Sequence, residues 1–148
     1  MPTNPKEYYP PMHSAEHILN QTMVRMFNTE RSFSNHIERK KSKCDYHFDR
    51  NLTEDDRANL QTEINRIINL NLDVTESVLS IEEAKKKINF DRMPKNFGDE
   101  IRIVNIGNYD SCPCSGVHVK NTSEIGNIKI ISSSFDDMVL RVRFKIQN

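Results

Sequence analysis

Two short motifs far apart in the chain restrict how it can fold. His13 and His17 are four positions apart, as are Cys114 and His118, and about 100 residues separate the two pairs. Three imidazoles and one thiolate form a complete set of ligands for a tetrahedral zinc ion. If all four bind one ion, the fold must bring these distant segments together, which excludes a local zinc knuckle. The sequence therefore predicts a metal site built from both ends of the chain.

The periodicity around the first motif predicts an α-helix from about His13 to Phe27. Apolar side chains recur there at spacings of three and four residues and form one stripe. His13 and His17 are one helical turn apart, so both imidazoles share a face of that helix. Cys114 and His118 fall in a predicted loop, where Gly116 permits a tight turn that lets both side chains bind one ion.

Other residues and another class of site compete with this assignment. The string His13-x-x-Glu16-His17 matches the inverzincin metalloproteases, in which Glu16 would be a base near the ion. Such a protease does not need the additional Cys/His pair. Cys112 is a rival of Cys114 as the thiolate ligand. Three cysteines are an odd number and too few for a disulfide framework, so reduced thiols are expected.

Apolar patterns and turn signals in the rest of the chain predict an α+β fold. We expect a largely antiparallel sheet with helices packed on one side. Thr53 is a suitable N-cap for a second helix that ends near Asn69. The clearest strand is 138–146, where apolar residues alternate with arginine and lysine. The other expected elements are strands at 32–37, 44–48, 73–79, 101–106 and 125–132, a short helix at 81–88, and irregular segments at 90–99 and 107–116.

Length and composition favour one domain. Residues 1–11 carry four of the six prolines and are expected to form an extended arm, followed by a single domain at 12–148. The formal net charge is zero, so a nucleic acid would have to be bound by local basic patches. We find neither an apolar run of the roughly 18 residues that span a bilayer nor a secretory signal. No membrane partner is expected, and the expected location is cytoplasmic.

The metal motifs and their surroundings resemble the editing domain shared by alanyl- and threonyl-tRNA synthetases, and the small free-standing AlaX-type trans-editing proteins. The likeness is carried by His13-x-x-x-His17 on the first helix and by Cys114-x-x-x-His118 followed by Val119. Residues 48–55 resemble the strand-to-helix junction of the family, and residues 124–130 resemble the segment that follows its Cys/His loop. The resemblance therefore covers most of the chain and implies the fold of that editing domain.

The resemblance also implies a function. Members of this family hydrolyse the ester between a wrong amino acid and the 3′ end of tRNA, here most simply serine or glycine on tRNA(Ala). The implied cofactor is Zn²⁺, bound by His13, His17, Cys114 and His118. Neither ATP nor aminoacylation is expected, because 148 residues leave no room for an aminoacylation module. Two alternatives stay open: editing of seryl-tRNA(Thr), and a structural zinc module that binds tRNA or a synthetase without catalysis. A homodimer is also left open.

Further residues are expected near the reaction. Ser34 falls where family members carry a small hydroxyl residue, which would hydrogen-bond the hydroxyl of serine, and Ser32 and Asn35 are alternatives. Asp110 is a candidate base or a residue that supports the metal ligands. The basic residues expected to contact tRNA phosphates are Arg39, Lys40, Lys41 and Lys43, then Lys85, Lys86 and Lys87, then Arg141, Arg143 and Lys145.

Overall fold

The computed structural model describes residues 9–87, 100–114 and 116–147. The helices in these ranges are α1 (Pro10–Phe27), α2 (Glu54–Ile68) and α3 (Ile81–Lys87). The strands are β1 (Ser34–His36), β2 (Ser42–His47), β3 (Val74–Ser80), β4 (Glu100–Ile106), β5 (Asp110–Pro113), β6 (Asn127–Asp136) and β7 (Val139–Gln147). Three predicted features lie outside the described residues: most of the arm (1–8), the irregular segment at 90–99, and the side chains of Lys85 and Lys87.

The strands form two antiparallel sheets. One has four strands in the order β1-β2-β7-β6, and the other has three in the order β3-β4-β5. The predicted α+β class and the antiparallel pairing are confirmed, although the strands divide between two sheets. β6 and β7 form a hairpin in which Asp137 and Met138 have positive φ angles of 50° and 62°. Positive φ at both central residues is the conformation of the type I′ turn, whose twist matches that of the two strands.

Helix α1 begins at Pro10, three residues before the predicted start. Its first turn contains Pro10 and Pro11, where a missing N–H costs nothing and the fixed φ of proline suits the helix. The helix ends at Phe27, and the next residue, Asn28, caps it in a left-handed conformation by donating its backbone N–H to the Val24 carbonyl. The described helices include none that is both long enough and apolar enough to cross a membrane.

Helix α2 begins after Thr53, as predicted. The Thr53 hydroxyl accepts a hydrogen bond from the Asp56 N–H at 3.0 Å, and the Asp56 carboxylate accepts one from the Thr53 N–H at 2.9 Å. This capping box satisfies backbone donors that the helix itself cannot pair. The side chains that α2 buries are Leu60, Ile64, Ile67 and Ile68.

The core includes the two long helices and the inner face of the four-stranded sheet. Cys44 and Tyr46 of β2 are fully buried in it, as are Leu140, Val142 and Phe144 of β7. Because side chains alternate across a strand, the residues between these point to the outer face of the sheet. That face is polar and partly accessible, and its side chains from β2 and β7 include Lys43, His47, Arg141, Arg143 and Lys145.

Candidate metal centre and adjoining cleft

The two predicted ligand pairs meet in the structure. One ligand atom from each of His13, His17, Cys114 and His118 lies within 4.8 Å of each of the others. The Cys114 Sγ is 3.4 Å from His118 Nε2 and 3.6 Å from His13 Nε2. A sulfur and a nitrogen bound to one tetrahedral zinc ion are about 3.6 Å apart, given the usual Zn–S and Zn–N bond lengths. The four residues therefore fit such an ion.

Different elements position these four side chains. Helix α1 places His13 and His17 one turn apart, with ring centroids separated by 5.3 Å. The loop after β5 carries the other two, and the His118 ring stacks on His13 at 4.2 Å. Arg102 of β4 holds this loop by donating to the carbonyls of Cys114 at 2.6 Å and Gly116 at 2.9 Å. The metal group is thus formed where α1 meets the loop that the smaller sheet supports.

The surroundings orient two of the imidazoles toward Cys114. His13 Nδ1 lies 3.3 Å from the Val117 carbonyl, which can only accept, so Nδ1 carries the proton. His118 Nδ1 lies 3.0 Å from the Ser14 hydroxyl, which also accepts from the Val119 N–H at 3.2 Å. With Nδ1 as donor, each ring presents the lone pair of Nε2 to the metal position. Such partners fix the tautomer and the orientation of metal-binding histidines.

His17 is supported by a buried carboxylate. Its Nδ1 has no hydrogen-bond partner within normal distance and lies 3.6 Å from Asp110 Oδ2. Asp110 accepts from Arg31 at 2.7 Å and from Gln21 at 3.1 Å. Burial alone would raise the pKa of Asp110, but His17 and the charge of Arg31 hold that pKa below its usual range. The structure therefore places Asp110 behind one of the candidate ligands, where a carboxylate can orient the imidazole.

Cys114 is a thiolate in this environment. Burial would raise its pKa, but the hydrogen bonds with His118, His13 and His17 outweigh burial and lower the pKa to about 3. The pKa of His17 is raised to about 9, because its contacts with Asp110 and Cys114 outweigh the opposing effect of burial. Cys112 lies outside the group of four, and burial raises the pKa of its thiol to about 12. Since the thiolate is the metal-binding form, Cys114 is the better ligand.

A polar cleft of about 230 Å³ opens beside the metal group. Glu16 in its wall is only 7% exposed and accepts a hydrogen bond from Asn20. The Asn20 carbonyl oxygen accepts from the Ser32 N–H at 2.7 Å, and the Ser32 hydroxyl donates to Asn35. The residues that line the cleft are His13, Glu16, His17, Asn20, Arg31, Ser32, Asn35, Cys112, Pro113 and Cys114.

The other residues singled out in the sequence divide between this cleft and other parts of the surface. Ser34 is exposed in β1 and does not line it, whereas its two alternatives, Ser32 and Asn35, do. Lys41 and Lys43 line a second cleft on the hairpin that joins β1 and β2. The two remaining residues of the predicted basic stretch are Arg39 and Lys40. The Arg39 guanidinium lies 4.4 Å from the Tyr9 ring centroid, and Lys40 is exposed.

Asn20, Gln21 and Arg31 are polar residues of this region that were not predicted from the sequence. Asn20 and Gln21 follow His17 by one helical turn, so the helical period that paired the two histidines also contained the signal for them. Arg31 gave no such signal, because its partner Asp110 is 79 positions away.

Replacing Gly116 with alanine should weaken metal binding. A Cβ at this position would overlap the ring of His13. The ring would have to move away from Cys114, and we expect zinc affinity to fall at least tenfold, as when a group supporting a ligand is lost. Competition with a chromogenic chelator measures this change. Val117→Ala in the same loop is the matched control, and equal affinities for the two variants would contradict the prediction.

The chain is similar in sequence to known proteins. Residues 101–143 match the family model of the threonyl and alanyl tRNA synthetase second additional domain. An alanine–tRNA ligase of Coxiella burnetii (strain Dugway 5J108-111) is 32% identical over 124 residues, which are 82% of this chain and 14% of the ligase. That of Fervidobacterium nodosum is 29% identical over 123 residues, with the same coverage of 82% and 14%. The chain therefore spans about one seventh of the length of these curated relatives.

Proposed function

The chain belongs to the family of the threonyl and alanyl tRNA synthetase second additional domain, which is their editing domain, and from this premise we propose that it hydrolyses the aminoacyl ester of mischarged tRNA. The observation that carries the proposal is a four-ligand group whose members His13, His17 and Cys114 also line a polar cleft. At about 230 Å³ this cleft is smaller than pockets for drug-sized ligands, which suits a small aminoacyl group.

The proposed substrate is serine or glycine attached to tRNA(Ala), and the proposed enzyme acts on it in trans. The compared relatives are alanine–tRNA ligases, which favours tRNA(Ala) over tRNA(Thr). Ser32 and Asn35 line the cleft and can hydrogen-bond a serine hydroxyl, and Ser34 in the same segment is the third candidate. We place the activity in the cytoplasm, and it requires no ATP because the ester is hydrolysed without activation.

Each polar group in the cleft has a proposed part in the reaction. A zinc ion, when bound, supplies a Lewis acid and lowers the pKa of bound water. Asp110 positions His17, and Arg31 in turn holds Asp110. The carboxylate of Glu16, held by Asn20, binds the α-ammonium group of the aminoacyl ester and orients it beside the metal group. The amide of Asn35 and the hydroxyl of Ser32 bind the amino-acid side chain.

A structural zinc module is the second candidate function. Four protein ligands form the closed set that is typical of structural zinc sites, whereas catalytic sites keep one position open. The cleft beside the ligands favours catalysis, because a structural ion needs no access to substrate. A catalytic role requires that one of the four ligands leaves the metal or that a fifth position is used.

Hydrolysis of seryl-tRNA(Ala) tests the proposed function. Release of serine is measured with the wild-type protein, with chelator-treated protein, and after zinc is restored. We expect rapid release that is lost with the metal and recovered with it, while correctly charged alanyl-tRNA(Ala) is spared. No release by protein that retains one zinc per chain would favour the structural module. Faster release from seryl-tRNA(Thr) would reassign the substrate.

Replacing Glu16 with glutamine should raise the KM for seryl-tRNA(Ala) at least about tenfold, because a charged hydrogen bond to the α-ammonium is lost. The matched substrate is N-acetyl-seryl-tRNA(Ala), which has no α-ammonium, so wild type and variant should hydrolyse it alike. Zinc content measured in both proteins excludes an effect through the neighbouring His17. An equal loss on the acetylated substrate would contradict the assignment.

A further inference from the structure

A second cleft, of about 260 Å³, is enclosed by the β1–β2 hairpin and β7. It is lined by His36, Glu38, Lys41, Ser42, Lys43 and Arg143. Three of these side chains are cationic and one is a carboxylate, although the whole chain has no net charge. A concentration of positive charge in a cleft attracts an anionic ligand more strongly than the same charges spread over a surface.

The cations of this second cleft are held close together. Lys43 and Arg143 are directly opposite each other on paired strands, an arrangement that is unfavourable for like charges. The Arg143 guanidinium donates to the hydroxyls of Ser132 and Ser134, both at 3.2 Å, which keeps it in place. These hydroxyls leave its positive charge without a carboxylate to neutralise it.

The nearby carboxylates have partners other than these three cations. Glu38 lies 3.0 Å from His36 Nε2, and Asp45 forms a two-point ion pair with Arg141 at 2.8 and 2.9 Å. Within the described residues, neither Lys41, Lys43 nor Arg143 has an ion-pair partner. The cleft therefore offers positive charge to an external anion.

Strand β1 separates this basic cleft from the metal cleft. Asn35 lines the metal cleft and the next residue, His36, lines the basic cleft. Successive side chains of a strand point to opposite faces, so the two clefts lie on the two sides of one strand. β1 has three residues and is the edge strand of its sheet. An extended ligand can thus pass from one cleft to the other around a single short strand.

An exposed aromatic pair lies on the same side as the basic cleft. The rings of Phe33 and His47 stack at 4.0 Å with an angle of 11° between them. Phe33 is 43% exposed although it is large and apolar. His47 shares the outer face of β2 with Lys43, because the two are four positions apart in the strand. Exposed aromatic rings beside positive charge are typical of surfaces that bind single-stranded nucleic acid.

We propose that the basic cleft binds phosphates of the RNA strand just upstream of its 3′-terminal nucleotide. That strand passes around the edge of β1, and its terminal aminoacyl ester enters the metal cleft. Lys41, Lys43 and Arg143 bind the phosphates, while the Phe33–His47 pair is available to stack on a base. The assignment of the strand to charged tRNA rests on the proposed function, whereas the affinity of the cleft for RNA phosphates does not.

Binding of an uncharged RNA tests the cleft without any catalysis. The probe is a fluorescent RNA hairpin with a single-stranded CCA 3′ end, and its anisotropy gives the Kd at several salt concentrations. The K41Q/K43Q double variant should bind about tenfold more weakly. Its log–log slope of affinity against salt should fall by about 1.4, since two single-strand phosphate contacts are lost. Lys129 is an exposed lysine of β6 outside the cleft, so the Lys129→Gln control should bind the RNA like wild type.

Two outcomes of the binding experiment would overturn the proposal. One is an unchanged affinity and salt slope in K41Q/K43Q, or an equal change in Lys129→Gln. The other is tight binding of poly-glutamate with the same loss in the double variant, which would assign the cleft to an acidic protein segment. Thermal unfolding of each variant shows whether the fold is intact. Lys43→Arg keeps the positive charge and should bind the RNA like wild type.

Kinetics on two substrates locates the strand relative to the metal cleft. The substrates are seryl-tRNA(Ala) and 3′-seryl-adenosine, which lacks the upstream phosphates. The double variant should lose about tenfold in kcat/KM on the tRNA and nothing on the adenosine ester. An equal loss on both would overturn the proposed path around β1. If the wild type hydrolyses neither substrate, the proposed function fails, and the binding experiment alone decides whether the cleft binds RNA.

Discussion

The His17→Ala variant is expected to lose at least about a hundredfold in kcat/KM for seryl-tRNA(Ala) and to bind zinc weakly. Removing even a group that supports a metal ligand costs roughly 10–100-fold in affinity or activity, and His17 is itself within the ligand group. It is also the candidate ligand that contacts Asp110, which Arg31 holds in turn, so its loss would remove that support from the metal site. Serine release and zinc content per chain are the measurements.

A second histidine provides the control for this variant. His47 is exposed on the outer face of the sheet, stacked on Phe33 and outside the metal group. His47→Ala should retain zinc and hydrolyse 3′-seryl-adenosine like wild type, because that ester does not reach the outer face. If His17→Ala kept its zinc and its rate, the proposed metal-dependent reaction would be wrong. A folded His17→Ala variant that binds zinc normally but is inactive would instead show that His17 acts on the substrate.

The Asp110→Asn variant should unfold more easily by about 3–5 kcal/mol and bind zinc 10–100-fold more weakly. The substitution leaves the Arg31 guanidinium, whose side chain is only 20% exposed, without its anionic partner. It also removes the carboxylate that orients His17. Denaturant unfolding of zinc-free protein measures the first effect, and chelator competition measures the second.

The loss of folding stability in Asp110→Asn should depend on pH. Because the pKa of Asp110 is lower in the folded protein than in the unfolded chain, its carboxylate stabilises the fold fully above the unfolded value of about 3.9. That contribution is lost as the pH falls through the folded pKa. His17 adds a second pH window, because Asp110 helps to raise the pKa of His17 to about 9, and the stability from protonated His17 is lost as the pH rises from about 6.5 to that value. The stability difference between zinc-free wild type and variant should therefore shrink below about pH 4 and shrink again above about pH 6.5.

A carboxylate paired with a more exposed arginine gives the comparison for Asp110. Asp45 forms a similar two-point ion pair with Arg141, but the Arg141 side chain is 37% exposed. Exposed pairs contribute less than about 1 kcal/mol, so Asp45→Asn should be mild and its zinc affinity unchanged. If Asp110→Asn and Asp45→Asn had equal free energies of unfolding, the Asp110–Arg31 pair would not be the structural support that its burial indicates.

Local patterns in the sequence were sufficient to predict much of the fold. The spacing of apolar residues located α1 and α2, and Thr53 marked the start of α2 because a capping side chain acts within three residues of itself. The alternation in β7 located a strand with one buried and one polar face. The predicted start of α1 was wrong by three residues, because the prolines that suggested an extended arm also fit the first turn of a helix.

The division into two sheets could not be predicted in the same way. Alternation identifies a strand and its buried face but says nothing of which strand lies beside it. β2 pairs with β7, which is nearly a hundred positions further along the chain, while β3 pairs with β4 across a segment that includes α3. These pairings depend on how the helices cover each sheet, which is a property of the assembled core.

The four candidate metal ligands could be identified from the amino-acid sequence. Residue types and four-residue spacings identified His13, His17, Cys114 and His118, because metal ligands are few in kind and a helical turn brings such pairs together. The residues that surround them could be identified only in the folded chain. Arg31 and Asp110 are 79 positions apart, and the two clefts on either side of β1 exist only once the hairpin packs against α1 and β7. Contacts of this kind arise from packing between distant segments, and no local pattern in the sequence encodes them.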